Sequence, residues 1–444
     1  MFIFVLQLRE AFQGNIGALL LFGVFSFWVW AIWALKTGLS RRYKPWTSAH
    51  TATTSVVIPV VDEPLDLFRD VLQRIIKQEP DEIVVVINGH HNPGLETVCS
   101  EMGVYWTWTP QPGKRNAIRI GVECAHGDIV VLVDSDTIWT DDTLYELVKP
   151  FADPLVGGVS TKQRILQPRR TFLTRWADWM ENSRALYAMP AQSALGHVGC
   201  LPGRTIAFRR QILQWVMPEF LNAKFMGIHL EVSDDRHLTN LALKDGWRTV
   251  YQSTALVYTD TPVTLRKLYR QQLRWARGSQ YNHLRMFPWA IAHAPLLVPF
   301  FLTDIALPFL LLGCAAGWIY RATTHSGLNL TSPLLETFPG TTGWVVVTVL
   351  VLVGATISMW VRQIRHLTEA PRDLLWMPAY VLFSSFFLMP IRILGFVRMA
   401  HSAAWGTRNG AYAGGRRKLN PFATVPYCLA VLITGAEIVA FTRL

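Results

Sequence analysis

Cysteine and charged side chains are scarce in this sequence. Only five cysteines occur among its 444 residues, and none lies in a Cys-x-x-Cys pair. We therefore predict neither a disulfide framework nor a zinc site. Charged residues account for 16% of the chain, whereas 51% of the residues are hydrophobic. A composition this apolar excludes an ordinary soluble protein and indicates segments that lie in a membrane.

Acidic residues are also outnumbered by basic ones. The chain has 31 Asp and Glu against 42 Lys and Arg, which gives a formal net charge of +11. A basic protein can bind nucleic acid, an anionic membrane surface or a phosphorylated substrate. The basic residues cluster beside apolar segments and in one polar turn, as membrane orientation and a phosphorylated ligand require. We therefore expect no nucleic-acid partner.

Long apolar runs are absent between residues 51 and 282, but they occur on either side of that region. A helix needs roughly 20 apolar residues to span a membrane. The first run precedes Arg41 and lacks a small-residue cleavage site, so we expect a retained anchor within residues 1–50 and no signal peptide. Four runs of about this length are predicted to span the membrane: Ile16–Leu35, Pro295–Gly317, Gly343–Trp360 and Ala423–Phe441.

A further apolar run, Leu374–Phe396, does not fit a simple span. Basic residues flank it on both sides, and the positive-inside rule then places both flanks in the cytoplasm. Pro378 and Pro390 also interrupt the run. We expect residues 374–398 to form a re-entrant or interfacial helical pair, with one ordinary span as the alternative.

The region from residue 51 to residue 285 alternates short β-rich runs with helical stretches, which predicts an α/β domain with a mostly parallel sheet. Two stretches rich in aromatic or basic residues, Thr171–Tyr187 and Thr264–Leu284, are predicted to lie at the membrane surface. The topology places this domain in the cytoplasm of a multi-pass plasma-membrane protein, and residues 286–444 return to the bilayer. The predicted strands are Ser55–Val60, Glu82–Ile87, Ile129–Val133 and Gly157–Thr161.

Two aspartates, Asp134 and Asp136, follow the third predicted strand directly. Ligands of open α/β sheets bind beyond the carboxyl ends of the strands, and a divalent cation there would stabilise two neighbouring carboxylates. Mg²⁺ or Mn²⁺ prefers oxygen ligands and often bridges to substrate phosphates. The alternative is that one aspartate caps the helix that begins near Asp141.

Three further stretches carry candidate binding or catalytic side chains. Lys114 and Arg115 begin a predicted helix after a Pro-Gly turn, which suits an anionic ligand, although a solvated basic turn has the same pattern. Asp234 and Asp235 open another helix, where the helix dipole alone favours carboxylates. A Gln-x-x-Arg-Trp pattern is also compatible with a plain basic interfacial helix; its residues are Gln271, Arg274 and Trp275.

The order of these motifs resembles the membrane-integrated family 2 glycosyltransferases, which include hyaluronan, chitin and cellulose synthases. The resemblance extends from about Ser55 to Lys418. It rests on an opening strand ending in V-V-D-E-P, a G-K-R-x-A turn, a D-x-D motif, an acidic pair before R-H-L, and Q-x-x-R-W. The S-D-D-R-H-L and W-G-T-R motifs lean toward hyaluronan and chitin synthases. The resemblance implies a GT-A-type cytosolic domain joined to transmembrane and interfacial helices.

The resemblance also implies roles for the motif residues. Asp136 would ligate the Mg²⁺ or Mn²⁺ that carries the nucleotide diphosphate, and Asp235, beside Asp234, would act as the general base. The side of the site that binds the nucleotide sugar would be formed by Pro59, Asp62, Glu63, Lys114, Arg115, Asp134, Gln271 and Arg274. The acceptor side would be formed by Cys200, Pro202, Gly203 and Trp275. A mobile loop that closes over bound nucleotide, residues 399–420, would contain Trp405, Thr407 and Arg408.

Two positions depart from the family's pattern. An aspartate that contacts the nucleobase is usual near the end of the second strand, where this chain has Asn88; an amide can still pair with uracil. The acidic pair is usually Glu-Asp, so Asp234 is shorter than expected. The choice of nucleobase therefore stays open, and Asp62 and Glu63 are further candidates for contact with the nucleotide.

We expect an inverting, metal-dependent transfer of sugar from a UDP-sugar to a growing polysaccharide, processive and coupled to translocation across the membrane. The alternative is a single addition to a lipid-linked acceptor, because the few spans leave little helix for a pore. The intact acidic and basic motifs oppose a non-enzymatic transporter or sensor, and a glycosidase would have no use for a diphosphate clamp. The expected partners are the nucleotide sugar, a glycan or lipid-linked acceptor and the lipid bilayer. The sugar, the linkage, the oligomeric state and any protein partner stay open.

Overall fold

The computed structural model describes residues 16–324, 332–401 and 420–443. These residues form two compact units. The α/β unit comprises the described parts of Lys36–Leu297 and Ala400–Ala423. The helical unit comprises the described parts of Met1–Leu35, Val298–Met399 and Thr424–Leu444.

Ten strands occur in the described chain, and eight of them form one sheet. In chain order they are β1 (Thr54–Val60), β2 (Glu82–Asn88), β3 (Tyr105–Thr109), β4 (Ile129–Val133), β5 (Thr137–Trp139), β6 (Val156–Ile165), β7 (Thr205–Arg209), β8 (Lys224–Phe225), β9 (Ile228–His229) and β10 (Arg248–Thr259). The order in the sheet is β3-β2-β1-β4-β7-β6-β10-β5, and β8 and β9 form a separate two-stranded hairpin.

Most neighbouring strands of the sheet are parallel. The pairs β3-β2, β2-β1, β1-β4 and β6-β10 are parallel, while β7 runs antiparallel between β4 and β6. The short strand β5 pairs antiparallel with β10 at one edge. The predicted α/β fold with a mostly parallel sheet is therefore confirmed, and each of the four predicted strands is present.

Helices cover the sheet and form the whole of the helical unit. In chain order the α-helices are α1 (Ile16–Ser40), α2 (Leu65–Ile76), α3 (Pro93–Glu101), α4 (Lys114–Cys124), α5 (Thr143–Val148), α6 (Phe172–Ser183), α7 (Met189–Ala194), α8 (Arg210–Asn222), α9 (Asp234–Lys244), α10 (Leu265–His293), α11 (Val298–Thr324), α12 (Ser332–Thr337), α13 (Thr341–Arg362), α14 (Ile364–Glu369), α15 (Met377–Phe383), α16 (Met389–Val397) and α17 (Val425–Arg443). Short 3₁₀ segments lie at Lys149–Ala152, Pro295–Leu297, Pro371–Leu375 and Pro421–Thr424, and π-helical segments at Arg184–Ala188 and Ser384–Leu388.

The side chains of β1 alternate between the two faces of the sheet, as in any strand. Val56 and Ile58 pack on the face covered by α2, where they join Phe68. Val57 packs on the opposite face with Ile118 of α4. All of these side chains are buried. Burial on both faces is usual for parallel strands, and it explains why the strands read as uninterrupted apolar runs.

Gly121 lets α4 approach the sheet closely. A Cβ atom at this position would lie 2.2 Å from Cγ1 of Val57, so any side chain would force the helix away from β1. Because α4 follows β3 and runs back across the sheet, its first residue, Lys114, lies at the carboxyl edge of the parallel strands. The close approach of α4 therefore brings a basic side chain to the edge where ligands bind.

The two tryptophans of α6 are buried within the protein, and the predicted position of this segment at the membrane surface stays a prediction. Trp176 is 1% exposed and Trp179 is 4% exposed. The helix begins with a capping box, in which the hydroxyl of Thr171 accepts from the N–H of Thr174 and that of Thr174 accepts from the N–H of Thr171. The helix is amphipathic, with one apolar face that packs on protein. Helices at a membrane surface have the same pattern of apolar and polar residues.

Four helices of the described chain are long and apolar enough to span a membrane. Within the helical unit, Arg392 of α16 forms an ion pair with Asp304 of α11, with an Nη1–Oδ1 distance of 2.8 Å. Charged residues in membrane segments are costly unless they are paired, so this contact joins the two helices. The candidate spans are Pro295–Gly317, Thr341–Arg362, Met377–Val397 and Pro421–Ala440.

The candidate span Met377–Val397 corrects one expectation. The sequence predicts a helical pair that enters and leaves on one side, but the structure has one continuous helical run from α15 through a π-helical turn into α16. Pro378 lies in the first turn of α15, where no N–H is needed. Pro390 follows the π-helical turn, whose wider spacing accommodates the missing hydrogen bond without ending the helix. Whether this run crosses the bilayer or lies at its surface stays a prediction.

Candidate active site

The turn after β4 carries both aspartates of the D-x-D motif. The N–H of Asp134 donates to the carbonyl of Arg204 over 2.9 Å. The buried hydroxyl of Ser135 donates to Oε1 of Glu63 over 2.9 Å. These hydrogen bonds hold the turn, so that Asp134 and Asp136 remain at the carboxyl end of β4 and are partly exposed.

Lys114 joins the D-x-D motif to the acidic pair. Its Nζ lies 2.7 Å from Oδ1 of Asp134 and 3.0 Å from Oδ2 of Asp234, and its side chain is 11% exposed. Burial disfavours the charged amine, but the two carboxylates outweigh burial and raise the pKa of Lys114. Burial also disfavours the charged form of Asp234, yet Lys114 outweighs burial and lowers the pKa of that carboxyl. At neutral pH the cluster therefore contains an ammonium group and an ionised Asp234.

Asp235 is the adjacent carboxyl group, and its pKa shifts in the opposite direction. Burial raises the pKa of Asp235, and the negative charge of Asp234 raises it further. Its Oδ2 accepts a hydrogen bond from the N–H of Gly203 over 3.0 Å and lies 4.0 Å from Sγ of Cys200. A carboxylate that is held in place and has a raised pKa is suited to accept a proton.

Ser233, which precedes the acidic pair, has a left-handed backbone conformation with φ of +56°. It lies against Gly278 of α10, where a Cβ atom would be only 2.0 Å from Oγ of Ser233. Glycine at position 278 therefore lets α10 pack directly on the start of α9. This contact brings the acidic pair close to the helix that carries Gln271, Arg274 and Trp275.

The loop before β7 forms the predicted acceptor side together with Trp275, which is 38% exposed. The guanidinium group of Arg204 lies 5.8 Å from the centre of the Trp275 ring. Arg204 is also bound to Glu181 over 2.9 Å and to Oε1 of Gln163 over 2.7 Å. Nε2 of Gln163 donates to the carbonyl of Pro202 over 3.0 Å, so the same residue also supports the loop. Arg204 thus lies between a buried polar network and the exposed tryptophan.

Sequence reasoning missed Arg204, Glu181 and Gln163 as site residues. A signal for Glu181 was present, because an acidic residue in a helix that buries Trp176 and Trp179 needs a cation nearby. The partner could not be found in the same way, since Arg204 reaches the helix from a different part of the chain.

Asn88 supports the turn that precedes α4. Its Nδ2 donates to the carbonyls of Gln111 and Gly113 over 3.1 Å and 2.9 Å, and its Oδ1 accepts from the N–H of Gly113 over 3.0 Å. Gly113 has φ of +117°, a conformation that favours glycine. The buried amide of Asn88 therefore shapes the loop that presents Lys114, and its contact with a nucleobase stays a prediction.

Arg115 is not on the donor side, contrary to the prediction. Its side chain is buried, its Nη1 donates to the carbonyl of Phe220, and the guanidinium carbon lies 4.4 Å from the centre of the Phe220 ring. Nη1 also lies 2.9 Å from Nδ1 of His237. Successive residues of a helix point about 100° apart, because a turn holds 3.6 residues. When Lys114 faces the site, Arg115 is directed into the interior.

Four of the predicted residues line one small cavity of about 10 Å³, which is room for a single water molecule. These residues are Pro59, Lys114, Gly203 and Asp234. Asp62 is exposed, and the carboxylate of Glu63 accepts a hydrogen bond from the hydroxyl of Ser135. The predicted site residues of the closing loop lie outside the described residues; they are Trp405, Thr407 and Arg408.

Asp136 is the residue predicted to hold a divalent cation. Within the described ranges, no group of three or more His, Cys, Asp and Glu side chains could enclose a metal ion. One or two carboxylates are enough for Mg²⁺ or Mn²⁺ when the remaining ligands are substrate phosphates and water. Asp136 at the end of β4 therefore fits a cation that is shared with a bound diphosphate, and it does not fit a cation held by protein alone.

The fold is that of a GT-A-type glycosyltransferase. A solved structure of the mannosyltransferase PcManGT from Pyrobaculum calidifontis, in complex with GDP-Man and Mn²⁺, superimposes with a TM-score of 0.53 and 21% sequence identity. It covers 83% of this chain and 99% of its own. The model of the family described as "Glycosyltransferase like family 2" matches residues 51–278, which is just over half of the chain. The chain belongs to this family and is a glycosyltransferase, as the sequence predicts.

Curated relatives agree with this assignment. A hyaluronan synthase from Streptococcus pyogenes serotype M3 is 24% identical over 400 residues, which cover 87% of this chain and 90% of the synthase. An N-acetylglucosaminyltransferase from Azorhizobium caulinodans is 32% identical over 241 residues, which cover 52% of this chain and 60% of that protein. The predicted resemblance to the membrane enzymes of the family is thus confirmed.

Lys114→Met tests the central ion pairs. The substitution leaves Asp134 and Asp234 near each other without the cation that lies between them. We expect the free energy of unfolding to fall by about 3 kcal/mol, as it does when one partner of a buried pair is removed. Thermal unfolding of the purified protein in detergent measures the loss.

A second substitution and a control make this result specific. Adding Asp234→Asn to Lys114→Met removes the repulsion and should restore part of the lost stability. Lys77→Met breaks an exposed pair with Asp141 and should change the stability little. An equal free energy of unfolding for Lys114→Met and the wild type would contradict the bridging role of Lys114.

Proposed function

We propose that this glycosyltransferase transfers a sugar from a UDP-sugar to a growing glycan with inversion at the anomeric carbon. The observation that carries the proposal is the position of Lys114, whose Nζ binds Asp134 of the D-x-D motif and Asp234 of the acidic pair. A donor bound at the carboxyl end of β4 has its diphosphate beside this ammonium group and its sugar beside Asp235. The same cluster therefore connects leaving-group binding to proton removal.

Asp235 is the proposed general base. It removes the proton from an acceptor hydroxyl while the oxygen of that hydroxyl forms a bond with the anomeric carbon. The bond from this carbon to the diphosphate breaks, and the nucleoside diphosphate leaves with the electron pair. Attack opposite the leaving group inverts the configuration. The N–H of Gly203 holds Oδ2 of Asp235, so the carboxylate is oriented before the acceptor arrives.

Lys114 and Arg274 are proposed to bind the departing diphosphate. Lys114 remains charged because its carboxylate neighbours raise its pKa, and the buried ammonium group interacts strongly with phosphate oxygens. Gln271 lies one helical turn from Arg274 on α10 and would contact the same end of the donor. A Mg²⁺ or Mn²⁺ ion shared between Asp136 and the diphosphate would supply further positive charge for the leaving group.

Trp275 is proposed as the platform on which the acceptor sugar stacks. Its indole is partly exposed, and Arg204 fixes one side of it through contacts with Glu181 and Gln163. The N–H of Gly203 and Sγ of Cys200, both near Asp235, belong to the same loop as Arg204. The hydroxyl of an acceptor sugar stacked on Trp275 would therefore lie close to Asp235.

The α/β unit is proposed to lie in the cytoplasm at the plasma membrane, with the product leaving through the bilayer. Both ends of the predicted closing loop are held by the α/β unit, which supports a position near the site. Arg277 donates to the carbonyl of His401, and Nδ2 of Asn420 donates to the carbonyl of Met226 over 2.7 Å. The loop between these anchors would close over the nucleotide through Trp405, Thr407 and Arg408.

Product length distinguishes processive synthesis from a single addition. Purified protein supplied with a UDP-sugar and Mn²⁺ should yield long chains on a sizing gel, and a chelator should abolish product. Products one sugar longer than the acceptor would support the alternative of a single transfer to a lipid-linked acceptor. Indifference to every UDP-sugar would contradict the proposed donor.

Asp235→Asn should lower the rate of transfer by at least about a hundredfold, because general-base catalysis contributes on the order of 10²–10⁴ to the rate. The affinity for the UDP-sugar should change little. In the wild type, kcat/KM should fall as the pH drops through the pKa of Asp235, with an inflection above the ordinary value of 3.8, because the base acts only when ionised. Steady-state transfer against pH measures both effects, with the exposed Asp142→Asn as control. A transfer rate for Asp235→Asn within a factor of two of the wild-type rate would refute the assignment.

Arg204→Gln should separate transfer from hydrolysis. The variant keeps the donor side but loses the ion pair that steadies Trp275 and the acceptor loop. We expect the ratio of sugar transferred to UDP-sugar hydrolysed to fall by about tenfold, with Arg204→Lys intermediate because lysine keeps the charge without the planar fork. Parallel assays of free sugar and glycan measure the ratio. A proportional loss of both activities would indicate a merely structural role for Arg204.

A further inference from the structure

A second cleft of about 500 Å³ lies in the α/β unit, and none of its lining residues belongs to the candidate active site. This volume is within the range of small-ligand sites. The cleft is formed by the end of α9 and the turn after it, by the last turns of α10, and by one residue before β7. Its lining residues are His197, Leu243, Lys244, Asp245, Gly246, Trp247, Trp289 and His293.

Trp289 forms one wall of the cleft and is held between two histidines. The ring of His293 stacks on it with centres 5.6 Å apart and an angle of 13°. The ring of His197 meets it edge-on at 6.0 Å. Arg285, Trp289 and His293 are spaced four residues apart on α10, so they share one face of that helix. The cleft is therefore a formed aromatic and basic surface.

The electrostatic environment of the cleft favours an anion. Glu219, the carboxylate whose charge acts on Lys244, is paired with Arg285 over 3.6 Å. Burial lowers the pKa of Lys244, the positive charge of Arg285 lowers it further, and the negative charge of Glu219 offsets only part of this shift. Burial and the charge of Arg248 likewise lower the pKa of His197. The carboxylate of Asp245, on the lining, accepts the indole N–H of Trp247 over 2.9 Å.

The cleft is also close along the chain to a candidate membrane span. His293 precedes the candidate span Pro295–Gly317 by two residues, which extend over at most about 7 Å. The headgroup layer of a membrane is of similar thickness, roughly 5–7 Å on each side. The strand that begins after Trp247 is also bound to the segment following α1, because the hydroxyl of Tyr43 donates to the carbonyl of Tyr251 over 2.9 Å.

We propose that this cleft binds the phosphate group of an anionic phospholipid from the cytoplasmic leaflet. The phosphate is bound by Lys244, and the indoles of Trp247 and Trp289 contact the glycerol region, as tryptophans at membrane interfaces do. The lipid occupies a fixed position between the end of α9 and the end of α10. This inference rests on the proposed cytoplasmic position of the α/β unit, but it goes beyond sugar transfer and does not depend on that activity.

Lipid titration followed by native mass spectrometry tests the proposal. Delipidated full-length protein in detergent should bind phosphatidylglycerol more tightly than phosphatidylcholine. Lys244→Gln should weaken the binding of phosphatidylglycerol at least about fivefold, since one lysine near an anionic headgroup contributes a free energy of that order. His293→Gln, an exposed change at the other end of the cleft, should weaken it as well.

Lys77→Gln is the matched control, because Lys77 also lies at the C-terminal end of a helix and is exposed. It should bind phosphatidylglycerol like the wild type. Hydrogen exchange of the segments around Lys244 and Trp289 should slow with phosphatidylglycerol in nanodiscs and not with inorganic phosphate. Equal affinity of Lys244→Gln and the wild type would overturn the proposal. So would equal protection by inorganic phosphate or by a soluble oligosaccharide, since either would assign the cleft to a soluble ligand.

Discussion

One ammonium group between two carboxylates sets the electrostatics of the whole site. Lys114 neutralises part of the charge of Asp134 and Asp234, and it is kept protonated by them. A third carboxyl group, Asp235, lies next to this cluster; burial and the negative charge of Asp234 raise its pKa more than the positive charges of Lys114 and Arg236 lower it. The two adjacent carboxyl groups thus have pKa values that shift in opposite directions, since Asp234 lies in the ion pair with Lys114 and Asp235 carries the added repulsion of Asp234.

The fold produces this arrangement by bringing three chain ends together. The end of β4 supplies the D-x-D turn, the start of α4 supplies Lys114, and the start of α9 supplies the acidic pair. Gly121 lets α4 reach the sheet, and Gly278 lets α10 reach the start of α9. Both glycines act through the absence of a side chain, so the position of the charged groups depends on how closely helices pack.

Much of this could be predicted from the sequence because the signals are local. Apolar runs that end in aspartate identify β4, and a Pro-Gly turn before basic residues identifies the start of α4. The direction of Arg115 was predicted wrongly, since adjacent helical residues face different surroundings and a linear motif does not show which one faces the site. The effect of Pro390 was also missed, because a π-helical turn has no recognisable sequence pattern.

The contacts that join the two halves of the site were beyond local reasoning. Arg204, Glu181 and Gln163 come from a loop, a helix and a strand that are far apart in the chain, and only packing brings them together. A spacing rule cannot find such a network. A local pattern can only indicate that a buried charge requires a partner. Glu181, within the tryptophan-rich helix α6, is such a charge.

The hydrogen bond from the N–H of Asp134 to the carbonyl of Arg204 joins main chain to main chain. No substitution except proline at position 134 removes its donor or acceptor, so the distance between the D-x-D turn and the loop before β7 is a property of the backbone. Evolution could therefore exchange the side chains that recognise one sugar for those that recognise another while the geometry of bond formation stayed the same.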